Sequence, residues 1–145
     1  MSRREYEYLY SIYIIAGTAY ARLTDIARSI NVKPSTALEF LGKLEKKGFV
    51  EKRPRRGYKL THEGLSRIQD FIRRHRIAET FLVKELGYDP GIACRLASEF
   101  DIYLPEDVVN RICEKLGHPS MCPHGYPIPP GSCSCSTMER KRWFQ

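Results

Sequence analysis

The chain has 145 residues, of which 42% are hydrophobic and 28% charged, and a formal net charge of +7. That length holds one compact domain or two small ones and excludes a large multidomain enzyme, and no apolar run approaches the roughly 18 residues that cross a membrane. The N-terminal segment is laced with Glu and Tyr and lacks the apolar stretch of a secretion signal, so a cytoplasmic chain is expected, with its five cysteines serving as thiols or metal ligands rather than as a disulfide framework.

The charge is divided unevenly. Residues 1–76 hold 17 Lys and Arg against 8 Asp and Glu, whereas residues 77–145 hold 7 against 9. A basic half joined to a mildly acidic one suggests a polyanion-binding module attached to something else. In chain order, Leu9, Ile12, Tyr13 and Ala16 recur at helical spacing and predict a first helix over Glu5–Ala16. Thr24 is placed to cap a short helix over Asp25–Ile30. After the turn Asn31-Val32-Lys33, Pro34 suits the first position of a third helix running to about Lys47, with Ala37, Phe40, Leu41 and Leu44 as its apolar stripe and Gly48 as its stop. Two short alternating runs, Phe49–Arg53 and Tyr58–Leu60, flank the basic turn Pro54-Arg55-Arg56-Gly57 and predict a hairpin.

Helix, helix-turn-helix and basic hairpin in that order describe a winged helix. Lys33, Ser35, Thr36, Glu39 and Lys43 would form the exposed face of the recognition helix, whose N-terminal residues reach base edges in the major groove. Arg53, Arg55, Arg56 and Lys59 would lie on the wing against phosphates. Glu39 at that helix could accept a hydrogen bond from cytosine N4. The expected partner is double-stranded DNA.

A long helix follows from Thr61 to about Leu86, then one capped by Asp89 and started by Pro90 to about Asp101, then one from Leu104 to about Leu116. The last two are expected to lack a core of their own and to pack on the long helix as a dimer interface, which suits the two-fold symmetry of palindromic operators. Beyond Gly117, residues 117–137 hold five of nine prolines and three of five cysteines, so an irregular tail is expected. Cys122, His124, Cys133 and Cys135 in that tail could close around a structural Zn²⁺, serve an iron–sulfur or redox role, or do neither. No Gly-rich phosphate loop or nucleophile elbow is present, so an enzyme with a small-molecule substrate is not expected.

Several runs resemble one known family. Tyr6-Glu7-Tyr8-Leu9 with Ile12-Tyr13, Leu23-Thr24-Asp25-Ile26-Ala27 with Pro34-Ser35-Thr36, Leu60-Thr61-His62-Glu63-Gly64, the run Arg73–Leu82, and Cys122-Pro123-His124-Gly125-Tyr126-Pro127-Ile128-Pro129 are similar to motifs of the diphtheria-toxin-repressor family of metal-dependent transcriptional regulators, which includes the manganese-transport regulators. The resemblance covers about residues 5–130. It implies a mainly α fold with a small β wing: a winged helix-turn-helix DNA-binding domain over 1–72, a helical dimerisation and metal-binding domain over 73–120, and a Cys- and Pro-rich tail over 121–145. The SH3-like domain that many relatives add is not expected in a chain of this length.

The same resemblance implies a homodimeric repressor of metal-homeostasis genes, switched by a divalent transition metal. His75 and Glu79 match family ligands, and their spacing of four puts both on one helical face. Glu7, Cys94, Ser98 and Asp101 fall at further ligand positions, while Ile102 and Tyr10 replace ligating types. A thiolate beside imidazole and carboxylate favours Fe²⁺ or Zn²⁺ over Mn²⁺, with Glu7 and Asp101 as nearby oxygen donors. The bland alternative is a surface His–Glu pair with Cys94 as a small buried hydrophobe. The functional alternative is a winged-helix regulator whose metal site is vestigial and whose Cys-rich tail answers redox state or another signal.

Overall fold

The computed structural model describes residues 1–133; Cys135 and the terminal run 139–145 lie outside the described residues. The chain forms two compact units, Met1–Ile68 and Gln69–Gln145. Among the described residues no helix is long and apolar enough to cross a membrane.

The first unit is built from α1 (Arg3–Ala16), α2 (Leu23–Ile30), α3 (Pro34–Lys46), β1 (Val50–Arg53) and β2 (Gly57–Leu60), followed by the first turns of α4 (His62–Lys84). Ser2 and Glu5 close a capping box at the start of α1. The apolar faces meet in one core that includes Leu9, Ile12, Ile26, Ala37, Leu41 and Leu44, all buried. The expected stripes of α1 and α3 are largely those that bury, and Tyr8 stacks on Phe40 with ring centroids 4.4 Å apart.

Several boundaries differ from the sequence expectation; α1, for one, begins at Arg3 rather than Glu5. α2 begins at Leu23, so Thr24 lies inside the helix and no side chain caps it. The cause is non-local. Ala21 is bridged to Tyr58 by two backbone hydrogen bonds of 2.8 and 2.9 Å, and this fixes where the chain leaves extended geometry; the Arg22 carbonyl then accepts from Asp25 and Ile26. Gly57 makes that bridge possible: at φ +108° a Cβ would stand 2.1 Å from the Ala21 carbonyl oxygen. The long helix also ends at Lys84 rather than Leu86, and Leu86 is exposed.

The second unit contains the rest of α4, α5 (Pro90–Phe100), a single 3₁₀ turn (Asp101–Tyr103) and α6 (Glu106–Lys115). Asp89 caps α5 through its side chain to Gly91 and Pro90 starts it, as expected. As expected, these helices pack on α4, whose residues take part in both buried clusters. Ala78, Leu82, Ala93 and Ala97 form one buried cluster, and Ile77, Val109, Cys113, Cys122, Ile128 and Cys133 form another. Part of the second cluster comes from the supposedly irregular tail. Met121 and Pro127 form an antiparallel bridge, Cys122 N donates to Tyr126 O at 2.8 Å and Ile128 N to Ser120 O at 2.9 Å. That folded turn returns Cys122, Ile128 and Cys133 to the interior.

Candidate functional site

The first unit presents a basic surface. Lys33, Ser35, Thr36, Glu39 and Lys43 are all exposed along the start and outer face of α3. Glu39 and Lys43 pair one turn apart at 3.8 Å, both well exposed, so the pair adds little to stability and both heads remain available to a ligand. On the wing, Arg53, Arg55 and Arg56 are exposed and Lys59 is half-buried. Sequence reading passed over Tyr20. Its ring lies 5.6 Å from both the Arg53 guanidinium and the Lys59 ammonium, and its hydroxyl donates to Glu51 at 2.7 Å. An aromatic just ahead of α2 gives no local sign that it will meet the hairpin.

The second unit gathers titratable groups in its interior. His75 and Glu79 leave the same face of α4, and Cys94 reaches them from α5. Cys94 Sγ lies 3.5 Å from His75 Nε2, and Glu79 Oε2 lies 3.6 Å from the same nitrogen. The three ligand atoms sit within 4.8 Å of one another, spacings that suit donors at about 2.0–2.3 Å from one ion. The donor chemistry therefore fits a divalent transition metal. Burial pushes the Cys94 thiol up, and Glu79, Cys122 and Asp101 push it further; a bound cation would have to displace that proton.

Asp101 has a different place from the one expected. Its carboxylate is fully buried and meets the other ring nitrogen of His75, Nδ1, at 2.9 Å. It thereby orients the imidazole so that Nε2 faces Glu79 and Cys94. Glu7 belongs to the first unit, where it is exposed and pairs with Arg4 at 2.7 Å. Ser98 donates to the Cys94 carbonyl at 3.0 Å.

Of the four tail residues, Cys135 lies outside the described residues, and the other three are not gathered as one group. Cys122 and His124 join Glu79 in a second cluster, in which His124 Nδ1 meets Glu79 Oε1. Glu79 is thus common to two clusters, one oxygen toward each. Cys133 instead lies with Cys113 and His118, two residues the sequence reading did not select. The folded turn explains the division: it carries Cys122 and His124 to α4, and the chain beyond it returns past α6.

Comparison with known proteins agrees with this division of labour. Residues 1–58 match the family model for the iron dependent repressor N-terminal DNA binding domain, and residues 61–130 match its metal binding and dimerisation domain. An uncharacterized HTH-type transcriptional regulator of Aeropyrum pernix is 33% identical over 129 residues, covering 85% of this chain and 69% of the relative. The HTH-type transcriptional regulator MntR of Lysinibacillus sphaericus is 34% identical over 109 residues, covering 74% and 78%. The crystal structure of a hypothetical protein of Sulfolobus solfataricus superposes with a TM-score of 0.76 at 37% identity, covering 90% of this chain and all of that one.

Proposed function

We propose that this chain, which belongs to the iron dependent repressor family together with the diphtheria toxin repressor and the MntR regulators, represses metal-homeostasis genes in the cytoplasm by binding a palindromic operator as a homodimer. The family consists of transcriptional regulators, and the chain is not an enzyme. The observation that carries the regulatory half is the convergence of His75 Nε2, Glu79 Oε2 and Cys94 Sγ, with Asp101 holding the imidazole from behind. A divalent cation bound there supplies positive charge to a buried carboxylate and a thiol and ties α4 to α5. The thiol favours Fe²⁺ or Zn²⁺ over Mn²⁺. Glu79 is held by His124 on its far oxygen, so its near oxygen stays turned toward His75. α4 begins in the DNA-binding unit and carries His75 and Glu79 in the second, which makes it the element through which occupancy would be felt at the operator.

Exposed Ile92, Phe100 and Tyr103 in the second unit support self-association. The exposed cations of α3 and the wing support duplex binding, with phosphate contacts giving salt-sensitive affinity and Glu39 bearing on base choice. Replacing Glu39 by Gln should move operator preference by about 1–3 kcal/mol per affected base pair.

The test is fluorescence anisotropy on the chain's own promoter region, with chelator and with added Fe²⁺, Zn²⁺ or Mn²⁺. Chelation should weaken operator binding by about 5–150-fold, the range of ordinary allosteric coupling, and Fe²⁺ or Zn²⁺ should restore it in the wild type but not in His75→Ala. Indifference to metal would sink the regulatory half while leaving duplex binding intact. A second reading, in which the metal site is vestigial and the tail responds to redox state, draws support from the disulfide at Cys133 and from Ser98 and Ile102 at ligand positions. A metal response preserved after Cys133→Ser and Cys135→Ser would reject it.

A further inference from the structure

Cys113, His118 and Cys133 form a third group of ligand atoms within 4.8 Å of one another, and it shares no residue with the His75 group. Cys113 is on the last turns of α6, and His118 follows the helix end in a left-handed conformation at φ 55°. The returning chain brings in Cys133. Both cysteines are buried, at 2% and 4% exposure. A tetrahedral ion with sulfur at about 2.3 Å and nitrogen at about 2.0 Å needs sulfurs about 3.8 Å apart and each sulfur about 3.5 Å from the nitrogen. The sulfurs here stand 3.7 Å apart, and His118 Nδ1 lies 3.5 Å from Cys113 Sγ and 3.9 Å from Cys133 Sγ.

A second observation points the same way. Arg73 is 3% exposed and is aimed into this cluster, with Nη2 donating to Cys133 Sγ at 3.1 Å and to Asn110 at 3.2 Å. Its Nε and Nη1 have no hydrogen-bond partner among the described residues, and Gly131 runs so close that a Cβ would stand 2.1 Å from Nε. A buried guanidinium is costly unless negative charge lies near it. A sulfur held as a thiolate by a metal accepts the Arg73 hydrogen bond as a charged partner, whereas a neutral thiol is a weak acceptor.

We infer that Cys113, His118 and Cys133 form a Zn²⁺ site that fastens the end of α6 to the returning chain, with Arg73 as the buried hydrogen-bond donor to its Cys133 thiolate. Two thiolates and an imidazole are the ligands of a tetrahedral structural zinc, with one position left for a fourth. The site belongs to the reduced chain. Cys133 is disulfide-bonded in this structure, so two electrons and two protons must first come from a thiol reductant, which leaves as its own disulfide. Cys94, Cys113 and Cys122 are not in disulfides.

The experiment uses the full-length reduced chain carrying Cys94→Ser and Cys122→Ser, so that neither of the other two clusters keeps a thiolate. Co²⁺ is added as the spectroscopic probe and then displaced by Zn²⁺. The expected result is one Co²⁺ per chain, with thiolate-to-cobalt charge-transfer absorption and the intense visible bands of a tetrahedral site, both abolished by Cys113→Ser. His118→Asn should also remove the tetrahedral bands; Asn tolerates the left-handed backbone at that position, so the loss cannot be assigned to strain. Zn²⁺ should raise the melting temperature of the double variant and leave that of its His118→Asn derivative unmoved. Charge-transfer absorption that survives Cys113→Ser, or no tight cobalt in the reduced double variant, overturns the site. Should the double variant fail to fold, metal content of the wild type against His118→Asn decides: a fall of one zinc per chain supports the site, and an unchanged content refutes it.

Discussion

The two units of this chain put their chemistry in opposite places. The first carries it on surface side chains, the cations of α3 and the wing, exposed apart from the half-buried Lys59. The second carries it inside: Glu79, 2% exposed, is held between His75 and His124, and Asp101, 0% exposed, is held against His75. Exposed charges act additively and are screened by salt. Buried groups that share atoms act as one assembly, so the loss of a member leaves its neighbours stranded. Substitutions should therefore be graded in the first unit and close to all-or-none in the second.

The sharpest break should come from Glu79→Ala. It removes the carboxylate common to the His75 and His124 clusters, and calorimetric titration with Zn²⁺ should lose both sites together in the wild-type background, leaving only metal attributable to Cys113, His118 and Cys133. Retention of the His75 site without Glu79 would mean that the carboxylate is merely a neighbour. Asp101→Asn comes next. It keeps the shape but weakens the grip on His75 Nδ1, and losses for such outer partners are about 10–100-fold in metal affinity, read in the same titration.

In the first unit the effects should be smaller and uniform. Arg56→Ala should weaken binding to operator and random duplex alike and reduce the slope of log affinity against log salt by about 1. A change confined to operator DNA would make Arg56 a base reader. The smallest effect expected is that of Glu5→Gln. Burial alone would raise the Glu5 carboxyl, but Lys47 and the Ser2 backbone outweigh it and hold it below the usual carboxylate range. Because the folded value lies below the unfolded one, the carboxylate stabilises the fold above the unfolded pKa and ceases to do so as pH falls through the folded value. The melting temperatures of wild type and Glu5→Gln should differ at pH 7 and converge in acid; a gap that persists there would exclude Glu5 ionisation as its source.

Much of the first unit is legible in the sequence because its signals are local. Helical spacing, Pro34, Gly48 and the Pro54–Gly57 turn each act within a few residues. The error at Thr24 arose where a distant backbone, that of Tyr58, decides the start of α2. In the second unit, His75 and Glu79 share a helix face and can be read by counting, whereas Cys94 entered through family resemblance. The role of Asp101 depends on which imidazole nitrogen faces which neighbour, and spacing carries no such information. Cys113 reads as an ordinary core residue of α6, and His118 as a loop histidine. Only the return of the chain to Cys133, after a turn closed by long-range backbone bonds, brings them into one cluster.

The bridge at the root of the wing has a consequence for how this surface can change. Ala21 and Tyr58 are joined through main-chain atoms alone, and the close approach is protected by Gly57 rather than by any tip residue. The segment between Arg53 and Gly57 is therefore a replaceable cassette: its side chains can drift, or be exchanged wholesale for those of another wing, without shifting the stem that aims them. Selection for a new operator can work on the tip one residue at a time, provided Gly57 stays.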